Sequence, residues 1–90
     1  MTTTKEALDL LTAAESAIAQ WKTERAALVA DESLSFAARS KALVQIGSAP
    51  QRAIRALEAL VSKAGGEYDG DTAQLAAAEE RFAAVMSWRG

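Results

Sequence analysis

Ninety residues is the length of one domain, and half of them are hydrophobic, so the chain can bury a core of modest size. There is no Cys and no His, which excludes disulfides, thiolate metal sites, Cys nucleophiles and the commonest general base and metal ligand. The net charge of −2 is uneven: residues 1–32 carry −3, residues 33–64 carry +4 and residues 65–90 carry −3.

The first helix is expected to start at Thr3, which forms a capping box with Glu6 three residues on. Leu11, Ala14, Ile18, Trp21, Arg25 and Leu28 then recur every three or four residues, which keeps one stripe on one face. Leu8 and Leu10 widen that stripe, and the helix is expected to run to about Ala30. Met1-Thr2-Thr3-Thr4-Lys5-Glu6 has no basic stretch followed by an apolar run, so no signal peptide is expected.

Asp31-Glu32-Ser33 is a polar break, and Ser33 or Ser35 can cap the next helix. Phe36, Ser40, Leu43 and Ile46 are expected on its inner face, with Ala42 beside them. Gly47 follows, where a left-handed closing residue is expected. Ser48 is then expected to cap a third helix with Gln51 as its box partner, and Pro50 falls in the first turn, where its missing N–H costs nothing. Ile54, Leu57, Val61 and Ala64 form that helix's stripe, with Leu60 beside it. Gly65-Gly66 ends it, Glu67-Tyr68-Asp69-Gly70 reads as a loop, and Asp71 with Gln74 caps the last helix. Leu75, Ala78, Phe82 and Val85 lead its inner face, supported by Met86.

No segment alternates like a strand, and the longest apolar runs are too short to span a membrane. The expected fold is therefore all-α: one domain over residues 1–90, a small bundle of three to four mostly antiparallel helices. Alanine supplies much of the apolar count and buries little area. The monomer should be marginal, with self-association as a natural remedy.

Catalytic chemistry has little to work with. Glu79 and Glu80 are adjacent, so on a helix they point about 100° apart and do not converge. Asp69-Gly70-Asp71 opens like a calcium loop, but Ala73 and Gln74 stand where an oxygen ligand and a Gly are needed. Gly65-Gly66 lacks the Lys-Ser/Thr of a phosphate loop. The expectation is no enzyme, no cofactor, no metal site and no small-molecule substrate.

Residues 39–57 read as a helix, a Gly turn, a Pro in the next first turn and a basic second helix. This segment resembles a DNA-binding helix-turn-helix, with Gly47 at the turn. The resemblance implies that Gln51, Arg52 and Arg55 lie on the outer face of a recognition helix and meet bases or phosphates. Ser48 stands where that pattern carries an apolar residue, and Leu43 where it carries a small one. The chain's net acidity argues against tight binding to nucleic acid.

Trp88 is expected at the fraying end of the last helix, where it must dock on its own bundle or on a partner. Aromatic and Arg side chains dominate binding hot spots, so Trp88 and Arg89 are the expected protein contact. Close helix approach across the Ala faces would permit a homodimer. The expectation is thus a non-enzymatic protein-binding or self-associating module, cytoplasmic as the lack of Cys suits. Its composition is of the kind met among bacterial and phage accessory proteins, whether adaptor, particle subunit or inhibitor of a host complex. DNA binding through residues 39–57 is the alternative.

Overall fold

A single long helix, α1 (Thr4–Ala30), forms the axis of the molecule. In the computed structural model, which describes residues 2–89, four further helical segments pack along it: α2 (Phe36–Ile46), α3 (Ser48–Ala64), α4 (Ala73–Ala77) and α5 (Glu79–Met86). The described residues contain no strand, and the all-α bundle is as the periodicity requires. Met1 and Gly90, at the two ends of the predicted organisation, lie outside the described residues.

The ends of α1 follow from local chemistry. Thr3 Oγ1 accepts from the Glu6 N–H at 3.1 Å and satisfies one of the free donors of the first turn. At the other end Asp31 Oδ1 accepts from the Ser33 N–H at 3.0 Å and turns the chain. Ser35 then caps α2, its Oγ accepting from the Ala38 N–H at 3.1 Å.

The α2–α3 junction differs from expectation in three ways. Gly47 has φ −72° and ψ −14°, a right-handed helical conformation and not the left-handed one expected there. Ser48 does not cap α3: its Oγ donates backwards to the Gln45 carbonyl at 2.9 Å. The inner face of α2 is also rotated. Phe36 is 84% exposed and Ser40 is exposed, whereas Arg39, Ala42, Leu43 and Ile46 are half-buried.

One cause explains all three. With Gly47 right-handed, α2 and α3 form one bent helix, and a single stripe of Arg39, Leu43, Ile46, Pro50, Ile54 and Leu57 runs through the bend. The two segments therefore lie nearly end to end along α1. They do not form the crossed pair of a helix-turn-helix, which needs a separate turn of three or four residues.

Helix α3 ends as its glycines predict, with Gly65 left-handed at φ 57°. The following loop staples itself to the start of α1. The Thr4 N–H donates to the Asp69 carbonyl at 2.8 Å, and the Asp69 N–H donates to the Thr2 carbonyl at 2.9 Å. Asp71 Oδ1 accepts from the Ala73 N–H at 3.0 Å, although Thr72 holds the cap position itself. The last helix, expected to be continuous, breaks at Ala78 (φ −95°, ψ 5°), which is buried between α4 and α5.

The core is Leu11 and Ala14 from α1, Ile54 and Leu57 from α3, and Ala78 and Val85 from the last two segments. Helix α3 runs antiparallel to α1. Helix α5 runs parallel to it, since Arg81 meets Glu15 and Trp88 meets Trp21 further along both. Because α5 ends beside Trp21, the second half of α1 and all of α2 project beyond it as a two-helix arm. No residue of that arm is buried, and the molecule measures 51 × 20 × 16 Å.

Candidate functional site

Trp88 docks where α5 ends. Its ring meets Trp21 edge-on, with centroids 5.1 Å apart and planes at 87°, the geometry the ring quadrupoles favour. Its flank packs on the core cluster. The Trp88 Nε1 is buried without an acceptor among the described residues, a donor left at a cost of about 1–3 kcal/mol.

Three grooves converge on this ring. One, of about 260 Å³, is lined by Gln51, Ile54, Arg55, Glu58, Met86, Trp88 and Arg89. A second, of about 400 Å³, opens between α1 and the α2–α3 bend and is lined by Trp21, Arg25, Leu43, Val44, Gly47, Gln51 and Trp88. The third, of about 290 Å³, lies between α1 and α5 and includes Ile18, Lys22, Val85 and Trp88.

Two residue sets that the sequence placed in different readings therefore share one surface. Trp88 and Arg89, the expected protein contact, lie beside Gln51 and Arg55 from the helix-turn-helix segment. Arg52 is exposed on α3 but lines none of the three grooves. Arg89 is held along its own backbone, Nη1 donating to the Trp88 carbonyl at 2.8 Å. Sequence reasoning missed Trp21 and Arg25 as members of this surface. Arg25 stands 5.9 Å from the Trp21 ring centroid, within cation–π range. The alternation of an aromatic and a cation one turn apart in α1 was the available signal.

The charge here runs against the chain's net sign. Lys22, Arg25, Arg55 and Arg89 line the grooves around Trp88, and none forms an ion pair among the described residues. Glu15, which also borders this region, is committed to Arg81, which donates from Nε to Oε2 at 3.0 Å. That hydrogen bond, and the positive charge behind it, hold the Glu15 carboxyl below its usual range against the opposing effect of burial. Glu58 is the single acidic residue lining the first two grooves.

The described residues contain no cluster of His, Cys, Asp or Glu suited to a metal ion, and none of their helices is long and apolar enough to cross a membrane. No family model, curated protein or solved structure matches this chain.

Proposed function

We propose that the protein is a non-enzymatic binding module whose Trp88-centred surface receives an acidic segment of another protein. The observation that carries this reading is the convergence on one aromatic pair of three grooves and four cations that form no ion pair among the described residues. Cations beside a half-buried Trp are the composition of a hot spot. A carboxylate-bearing segment would meet Arg25, Arg55 and Arg89, while its apolar side chains would cover Trp21, Leu43 and Trp88. An acceptor brought in with it would also relieve the orphaned Trp88 donor.

Such a surface suits an adaptor, a particle subunit or an inhibitor that occupies the face of a host complex, of the bacterial or phage accessory type. The cysteine-free chain suits work in the cytoplasm. Duplex DNA is the competing partner, since the same cations could meet phosphate. The missing turn at Gly47 and the position of Arg52 off the grooves favour the protein reading.

Titration of the tryptophan fluorescence with an acidic amphipathic peptide tests it. The peptide should bind, a basic peptide of the same apolar pattern should not, and Arg55→Ala with Arg89→Ala should weaken binding about tenfold, or about 1.4 kcal/mol. Duplex DNA that displaces the peptide at physiological salt would assign the surface to nucleic acid instead.

A further inference from the structure

Away from Trp88, the molecule leaves two apolar surfaces uncovered, and they have opposite charge. The first is the outside of α2. No residue of α2 is buried; Phe36 is 84% and Val44 78% exposed. With Ser40 they stand four residues apart in sequence and so share one side of the helix. This helix carries Arg39 and Lys41 and no acidic residue.

The second surface is a trough between α3 and α5. Both helices rest on α1, yet their backbones barely approach each other. The gap, of about 430 Å³, is floored by Val61, Leu75, Phe82 and Met86 and edged by Glu79. Glu80 follows Glu79 in the first turn of α5, and Glu58 lies one turn from Val61 on α3. An apolar floor with an acidic edge between two helices is a seat for a basic amphipathic helix.

We infer that a second copy of this chain lays its α2 in this trough, Phe36 and Val44 entering the floor and Lys41 facing Glu79. The lengths agree. Eleven residues of α2 span about 16 Å at 1.5 Å per residue; the eight of α5 span about 12 Å, and Leu75, before the break at Ala78, extends the trough beyond them. A molecule cannot fill its own trough, because its α2 lies beyond the end of α5 while the trough begins at Tyr68 and Leu75, on the far side of the core. One docked helix this short falls below the roughly 800 Å² per partner of a standard interface, so two reciprocal docks, each copy's α2 in the other's trough, complete the contact.

Light scattering on the full chain over a wide concentration range tests this. The unmodified protein exceeds the monomer mass at micromolar concentration. Phe36→Asp and Val61→Asp, both at exposed positions, each return it to the monomer mass with helical content unchanged. Mixing the two variants gives a one-to-one complex weaker than the unmodified dimer, formed at higher concentration, because the mixed pair keeps one intact dock of the two: one variant supplies the trough and the other the α2. A monomer throughout the range overturns the inference, as does a variant that stays associated or a mixture that stays monomeric. Arg55→Ala with Arg89→Ala leaves the mass unchanged, which keeps this result separate from the Trp88 surface.

Discussion

Arg39 closes the end of α1 from a different helix: its Nε donates to the Leu28 carbonyl at 3.1 Å. Its Nη2 donates to the Asp31 carbonyl at 2.7 Å. The last carbonyls of a helix lack partners within it and carry its negative end, so a cation there is doubly favourable. This pair of bonds helps to fasten the arm, where no residue of α2 is fully buried and its apolar contact with α1 rests on half-buried Ala42, Leu43 and Ile46. Arg39→Ala should therefore cost about 1.5–3 kcal/mol, the range for hydrogen bonds to a charged group. Arg39→Lys should recover part of that, because an ammonium cannot span both carbonyls in the same fork. Thermal unfolding of the three proteins checks the order.

That contact marks where sequence reading stops. The helix ends at Thr3, Ser35 and Gly65 were legible because each is settled by a side chain or a glycine within a few residues of it. The α1 stripe was legible at Leu11 and Ala14, which are buried; beyond them Ile18, Trp21 and Leu28 are half-buried and Arg25 is exposed, because α5 ends beside Trp21 and leaves that half uncovered. The rotation of α2 was not legible, because it depends on whether Gly47 stops a helix or bends one, and glycine permits both. Arg39, in the sequence only one of the cations behind the +4 of residues 33–64, finds its carbonyl eleven residues back across a turn. Trp21 and Trp88 meet only because α5 runs parallel to α1, and no spacing within either helix encodes that. The candidate surface around Trp88 was thus half visible: its aromatic end and its Gln51–Arg55 edge were each read, but their adjacency belongs to the tertiary fold.

Trp88 should matter to stability as well as to the proposed binding. Full truncation of a buried aromatic costs about 3–5 kcal/mol, and a half-buried ring with an edge-on partner should fall at or below the lower end. Trp88→Phe keeps the edge-on packing and removes the orphaned Nε1 donor, so it should be far milder than Trp88→Ala. Denaturant titration gives the two costs, and the near-ultraviolet circular dichroism should be lost in Trp88→Ala and retained in part in Trp88→Phe, where an edge-on aromatic pair remains.

Stability should fall in acid through two identified carboxylates. The hydrogen bond from Arg81 lowers the Glu15 pKa, and the Ser33 side chain and backbone N–H lower that of Asp31. A folded pKa below the unfolded one means that each contribution is fully present above the ordinary carboxylate range, near 4. It is lost as pH falls through the depressed folded value. Glu15→Gln should then lie below the unmodified protein in stability at neutral pH and converge with it in strong acid. Parallel pH titrations followed by circular dichroism at 222 nm would show the convergence; a constant gap would mean that Glu15 acts through packing alone.

Two glycine substitutions separate the bent helix from the turn that the sequence resembled. Gly65 closes α3 at φ 57°, a conformation that costs a residue with a Cβ about 1–2 kcal/mol, so Gly65→Ala should destabilise by that amount. Gly47 is right-handed, and a Cβ there would meet the Val44 carbonyl oxygen at 3.5 Å, an ordinary contact. Alanine prefers a helix over glycine by about 1 kcal/mol, so Gly47→Ala should leave stability unchanged or raise it by up to that amount. Had Gly47 formed the left-handed turn of a helix-turn-helix, the same substitution would have been as damaging as Gly65→Ala. Melting temperatures of the two single variants, measured side by side, therefore report the handedness of the junction: opposite signs support one bent helix, and two equal losses would restore the turn.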